Sequence, residues 1–251
     1  MKQIRYYILC FFIFTIGIVS AQEDMIKEAE TAYTQEDYSL AIERYEELLK
    51  IYGDSHEIYF NLGNAYYKTG KIASAIINYE RALLMNPGDA AIRFNLEVAK
   101  LKKVDKIDPL GEFFLVQWFR SIQNLGSVDT WASLGIACFI LLIGCLILFF
   151  FSKWMKLRKM GFYLGIVLLL IVICSNLFAW NQHKALVERK GAIIFAPTVT
   201  IKSSPDASGT DLFILHEGTK VFINSSLGEW YEIELEDGNI GWIPQKYLER
   251  I

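Results

Sequence analysis

Residues 56–89 read HEIYFNLGNAYYKTG (56–70) followed by KIASAIINYERALLMNPGD (71–89). The stretch reads as two helices, because apolar side chains recur at helical spacing on either side of Thr69-Gly70. Gly63, Ala75 and Ala82 are small enough to let two helices approach, and the tyrosines Tyr59, Tyr66 and Tyr79 fill the gaps beside them. Moving outward, the pattern repeats with a period of 34: Ala41 matches Ala75, Ile42 matches Ile76, Tyr45 matches Tyr79 and Glu46 matches Glu80. Asn61 and Leu62 recur as Asn95 and Leu96. Such a period marks a stacked array of helix pairs.

The residues Tyr59, Leu62, Gly63, Tyr66, Ala75, Tyr79, Ala82 and Pro87 resemble the eight defining positions of the tetratricopeptide (TPR) repeat. An upstream copy, 22–55, keeps Ala29, Ala41 and Tyr45 but has Glu28 where Leu is expected and Leu48 where Ala is. A further helix over 90–107, carrying Phe94, Leu96, Val98 and Leu101, reads as a cap that ends near Asp108-Pro109. The TPR domain is therefore expected over 22–108, as repeats 22–55 and 56–89 and a capping helix. In this family the first helix of each repeat lines a groove for extended peptides or a partner's helix. The resemblance assigns that groove to Glu30, Tyr33, Phe60, Asn61, Asn64, Tyr67, Lys68, Phe94 and Asn95. Asn61, Asn64 and Asn95 resemble the amide part of a carboxylate clamp, whose basic residues are mostly missing here. Helix–helix packing is the other reading of these aromatics.

Three apolar stretches set the remaining organisation. Lys2 and Arg5, the run Tyr6 to Val19, and Val19-Ser20-Ala21 read as a secretory signal over 1–21, with an uncleaved anchor as the alternative. Residues 130–152 and 160–182 contain no charged side chain, and each is long enough to cross a bilayer. The segment 153–159 between them holds four positive charges, which places it in the cytoplasm and both soluble segments outside. Trp131 and Trp180 then mark the outer interface. Gly161 and Gly165 read as close packing of the hairpin helices, and Asn176 as an interhelical hydrogen bond. The aromatic-rich linker 109–129, amphipathic over Leu110 to Leu125, lies either in the outer membrane surface or against the helical domain.

From Val187 the pattern becomes short alternating strands. Tyr231, Ile233 and Leu235 alternate with Glu232, Glu234 and Glu236, and Asp237-Gly238 marks a hairpin before Ile240 and Trp242. Five or so strands in this length predict a small barrel. The runs Val199 to Pro205, Leu215 to Val221, Trp230 to Ile233 and Asp237 to Ile243 resemble the bacterial SH3-like domain, over 187–251. The resemblance implies a peptide groove, including for cell-wall stem peptides, with Trp230 and Trp242 as its aromatic candidates.

Charge and chemistry exclude several classes. Residues 22–109 carry 11 basic and 16 acidic side chains, and residues 185–251 carry 6 and 10, so neither offers the cationic surface that nucleic acid needs. The four cysteines, Cys10, Cys138, Cys145 and Cys174, all lie in apolar stretches and read as packing residues. His56, His183 and His216 stand far apart in sequence with no evident catalytic partner. In His56-Glu57 the place of a zinc-protease motif's second histidine is taken by Phe60, and no phosphate loop appears. No catalytic residue, cofactor or metal is expected.

The expected fold is thus a multidomain membrane protein: an all-α TPR repeat domain, a two-helix transmembrane hairpin and an all-β SH3-like small barrel. This order is similar to the BatE family of the bacterial aerotolerance operon. That resemblance implies a non-enzymatic inner-membrane adaptor with periplasmic TPR and SH3-like modules. It also implies companion membrane proteins with von Willebrand factor A-type domains as partners, with peptidoglycan peptides as a second possible ligand.

Overall fold

The computed structural model describes residues 22–111 and 113–251, so the signal segment and Cys10 lie outside the described residues. The described chain forms two compact units. One joins the residues through Ala82 with Ala90–Pro109 and Gly191–Ile251; the other joins Leu83–Asp89 with Leu110–Lys190.

In the first unit α1 (22–34) and α2 (Tyr38–Tyr52) form one helix pair, and α3 (His56–Lys68) and α4 (Ile72–Met85) form the next. Local chemistry sets the boundaries. Asp37 caps α2 by accepting from the Leu40 N–H, and Ser55 does the same for α3 with Ile58. Gly53 and Gly70 take the left-handed conformation that turns the chain between helices. Ala29, Ala32, Ala41, Tyr45, Leu48, Ile58, Leu62 and Ala65 form one core, so the bulky Leu48 of the first repeat is accommodated and fully buried. Tyr79 covers Gly63: a Cβ there would stand 2.7 Å from the tyrosine ring.

A fifth helix, α5 (Ala90–Lys100), stacks on α3 and buries Ile92, Leu96 and Ala99, one period after Ile58, Leu62 and Ala65. It is shorter than the helix expected over 90–107. The chain closes with tight turns at Lys102 and Lys103 and then runs extended, because Asp105 and Ile107 are drawn onto the β domain.

The β domain has seven antiparallel strands rather than about five: β1 (Gly191–Ile194), β2 (Thr198–Lys202), β3 (Asp211–His216), β4 (Lys220–Leu227), β5 (Trp230–Glu234), β6 (Ile240–Pro244) and β7 (Leu248–Arg250). The additional short strands are β1 and β7, which pair with each other at one edge of the sheet order β3-β2-β6-β5-β4-β1-β7. Irregular register at Ile201/Lys202 and Ile223/Ser225 bends the strands. The sheet curls round a single core that includes Ala192, Val199, Leu215, Val221, Ile233 and Ile243. This is an SH3-like domain.

The second unit holds α6 (Phe114–Gln123), α7 (Val128–Phe151) and α8 (Met155–Glu188). At about 1.5 Å per residue, α7 and α8 measure about 36 and 51 Å, against a hydrocarbon core of about 30 Å. Both are long and apolar enough to cross a membrane, with mean hydropathies of 3.0 and 2.5 over their most apolar 18-residue windows. The basic segment 153–159 is mostly helix: only Ser152-Lys153-Trp154 connect α7 to α8, and Lys156, Arg158 and Lys159 lie in the first turns of α8. Cations at a helix N-terminus oppose its dipole, so their placement serves something other than helix stability. Where a span ending at residue 182 was expected, α8 continues to Glu188, carried by the helix-compatible segment 181–188.

Gly161 is the close-packing point of the hairpin, since a Cβ there would come 2.8 Å from the Cys145 carbonyl, whereas Gly165 has ordinary clearance. Cys138 and Cys145 pack with Leu142 and Leu168. Asn176 departs from the expectation: its amide donates to the Val172 carbonyl of its own helix, four residues back, and not across the hairpin. Phe119 stacks edge-on against Phe178, and Gln123 is buried among hydrogen bonds from α8.

Candidate functional site

Asn64, Tyr67 and Lys68 sit at i, i+3 and i+4 on α3 and therefore share a face. Tyr33 on α1 and Phe94, Asn95 and Val98 on α5 converge on the same face, and Tyr79 of α4 closes its floor. Together they line a cleft of about 210 Å³, room for one or two side chains. Its floor is held by polar contacts: the Tyr79 hydroxyl and the Asn95 amide each donate to Asn64 Oδ1 at 2.8 Å. That commits the Asn64 oxygen and leaves its amide hydrogens as the donor a ligand would meet. Burial pushes the Tyr33 hydroxyl pKa up, against the pull of Lys68, and burial raises Tyr79 as well. Both phenols stay neutral donors at physiological pH. Lys102 stands 5.5 Å above the Tyr67 ring at the rim.

Of the groove residues expected from sequence, Tyr33, Asn64, Tyr67, Lys68, Phe94 and Asn95 come together here. Phe60 instead packs on the Tyr79 ring at 6.0 Å, and Asn61 does not line the cleft. Phe94 is 68% exposed, which sets it apart from the packing aromatics. The cleft combines aromatic walls, amide donors and two rim lysines, a chemistry suited to a peptide segment carrying an acidic or carbonyl-rich end.

A second cleft, of about 700 Å³, opens on the SH3-like domain between β2, the loop at Ala207, the start of β5 and the turn Gln245–Tyr247. Trp230 lines it together with Thr198, Thr200, Lys202, Glu229 and Tyr247. The Gln245 amide donates to the Gly228 carbonyl at 3.0 Å and fixes one wall. Trp242 does not line this cleft: it sits half-buried in β6, opposite Glu232 on one side and Lys202 on the other. The two tryptophans named from sequence therefore do not form one groove.

The structure adds a junction that sequence reasoning missed, between the helical repeats and the SH3-like domain within the first unit. Glu80, 5% exposed, receives Lys220 Nζ at 2.6 Å and faces Lys100 Nζ at 3.3 Å. Burial alone would raise the Glu80 pKa, but the two lysines outweigh it and hold the carboxyl below its ordinary range. Burial opposes the charge on Lys100 too, and Glu80 and Glu97 overcome it, raising Lys100. Arg81 donates to Glu249 and to the Arg250 carbonyl, both at 2.7 Å.

His216, read from sequence as lacking a carboxylate partner, has one in Asp105. Asp105 takes the His216 N–H, the His216 ring nitrogen and the Thr219 hydroxyl, each at 2.7 Å. Burial works against the charge of Asp105, and these bonds more than offset it, so its pKa is lowered. With all three contacts tying the 101–109 segment to the β domain, the pair is a clamp. Partners 111 residues apart leave no local signal, which is why the spacing of the histidines did not reveal them.

Residues 26–91 match the family profile of the tetratricopeptide repeat, and residues 197–249 match that of the bacterial SH3 domain. No curated protein matches the chain.

Proposed function

We propose that the chain is a non-enzymatic adaptor anchored in the bacterial inner membrane, which holds a partner protein through the TPR cleft. The observation that carries this reading is the cleft itself: eight side chains from four helices converge on it, and Phe94 remains exposed at its edge. Helix-array clefts of this kind take a peptide or helix from a partner. The α7–α8 hairpin supplies the anchor, with Lys153, Lys156, Arg158 and Lys159 at its cytoplasmic end by the positive-inside rule. Both recognition modules then lie in the periplasm. The order of parts is that of the BatE proteins of the aerotolerance operon, which points to companion membrane proteins with von Willebrand factor A-type domains as partners. It also points to a role in envelope integrity.

A second reading rests on the larger cleft at Trp230. An aromatic wall beside Thr198, Thr200 and Glu229 suits a short peptide with polar groups, such as a peptidoglycan stem, and would make the chain a cell-wall sensor.

The test is mild crosslinking in cells, solubilisation and affinity capture with mass spectrometry. The adaptor reading expects membrane proteins that disappear with Phe94→Ala or Tyr67→Ala and persist with Trp230→Ala. Recovery of wall fragments that depend on Trp230, with no protein lost on mutating the TPR cleft, would transfer the function to the SH3-like domain.

A further inference from the structure

Helix α6 presents three chemically distinct sides. At 3.6 residues per turn, Phe114, Trp118 and Ile122 fall in one stripe with Leu115 beside it. Arg120 falls on the opposite side, with Gln117 between it and the stripe, and Ser121 lies beside Phe114 at the stripe's edge. A third side faces the hairpin: Phe119 meets Phe178, and Gln123 accepts through Oε1 from the Asn181 amide at 2.8 Å.

The C-terminal end of α6 is fixed in place. The Gln123 carbonyl accepts from Trp131 Nε1 and from Gln182 Nε2, each at 2.8 Å, and Gln182 also donates to the Gly126 carbonyl. These bonds join α6 to the start of α7 and to the end of the apolar stretch of α8. The apolar stripe is nevertheless open: Phe114 and Trp118 are 65% and 64% exposed. A helix held so firmly, with its largest apolar side chains uncovered, is shaped for an apolar medium at that level.

The medium is identified by continuity. The exposed outer faces of α7 and α8 are apolar along their length, and Trp180 lies exposed at the same end as α6. Trp131 and Trp180 sit at the end where amphipathic rings favour the membrane–water boundary, and Trp118 adds a third ring there. Arg120 lies on the polar side.

We propose that α6 is an interfacial helix, seated in the outer boundary of the bilayer that its own hairpin crosses, with Phe114, Leu115 and Trp118 among the lipid. This rests on the hairpin's being membrane-spanning. The arrangement makes the anchor a three-helix element, and the bonds at Gln123 make the depth of α6 a fixed property of the hairpin.

The test uses the full chain carrying Cys10→Ser, reconstituted in sealed liposomes at low protein-to-lipid ratio and exposed to a membrane-impermeant maleimide. The parent reports on Cys174, which is exposed on the side of α8. Single additions of Leu115→Cys and Trp118→Cys probe the stripe, and Gln117→Cys and Arg120→Cys probe the polar side. The expected result is an unlabelled parent, prompt labelling at the polar positions, and labelling at both stripe positions slower by on the order of tenfold. Stripe cysteines that label as fast as Arg120→Cys, with the parent still protected, overturn the proposal and leave the hairpin intact. Protection that vanishes on further dilution with lipid assigns the stripe to a second copy and overturns it also. Labelling of the parent at Cys174 refutes the membrane hairpin itself.

Discussion

Replacing Lys220 by Met removes one of the two cations facing Glu80 and keeps the bulk of the side chain. At 2.6 Å and an effective dielectric of about 20, the lost attraction is about 6 kcal/mol gross. Desolvation consumes part of it, because Glu80 is almost fully buried and Lys220 only partly exposed. Removing one member of a buried pair costs about 3–5 kcal/mol. Lys100 remains 3.3 Å from the other carboxylate oxygen, an ion pair without hydrogen-bond alignment, and softens the loss. The expected cost is about 2–3 kcal/mol, or roughly 30- to 160-fold in the equilibrium for opening the junction. Hydrogen–deuterium exchange on the solubilised full chain reads this as faster exchange in α4 and β4. Lys202→Met is the control: its partner Asp211 is exposed, and such pairs contribute less than about 1 kcal/mol. Acidification should act in the same direction. The Glu80 pKa is depressed in the folded chain, so its contribution is present above the ordinary carboxylate value of 4.5 and is lost as pH falls through the folded value. The raised pKa of Lys100 sets the opposite limit: that contribution is present below 10.5 and is lost as pH rises through the folded value. Exchange in Lys220→Met no faster than in Lys202→Met would refute the claim that this pair holds the two modules together.

Gly161→Ala should weaken the hairpin by about 1–3 kcal/mol in a denaturing-detergent titration, because its Cβ meets the backbone of Cys145; Gly165→Ala should be nearly silent. Gly63→Ala should lower the midpoint of thermal unfolding by a comparable free energy, since the Tyr79 ring that it displaces is tethered to Asn64. Phe94→Ala should leave that midpoint within about 0.5 kcal/mol of the parent, because the ring is exposed, and should still abolish crosslinking of the partner.

How far the sequence revealed all this depended on the range of each interaction. The 34-residue period placed Gly63 against Tyr79 and put Tyr33, Asn64, Tyr67 and Asn95 on helix faces, because those relations repeat along one chain segment. The alternation of Tyr231, Ile233 and Leu235 with glutamates picked out Ile233 and Leu235 as core for the same local reason. Phe60 and Asn61 were misplaced because a position on the first helix of a repeat does not say whether a neighbouring ring will cover it. Tyr79 covers Phe60. Asn176 was read as an interhelical donor, but a carbonyl four residues back on its own helix is always within reach. The end of α5 was missed because it is set by a contact with a distant residue: Asp105 is captured by His216.

The repeat register also explains why the SH3-like domain sits where it does. Glu46 and Glu80 are repeat equivalents, and so are Tyr66 and Lys100, one period of 34 apart. In the first interval the Tyr66 hydroxyl donates to Glu46; in the second, Lys100 pairs with Glu80. The same helix-to-helix contact thus occurs twice, once as a neutral donor on a carboxylate and once as an ion pair. What differs is the next layer. The array stops after α5, so the flank of α4 that another helix would cover in a longer stack is left open. Gly218 takes that place, with its backbone close against Ile76, and Lys220 completes the charge on Glu80. Ile76 is fully buried as a result. An array of two helix pairs and one extra helix is near the lower limit of what stacking alone stabilises. By covering α4, the β domain supplies the missing layer. The TPR cleft takes its floor, Tyr79, from that same helix, so the β domain packs on the helix that builds the cleft.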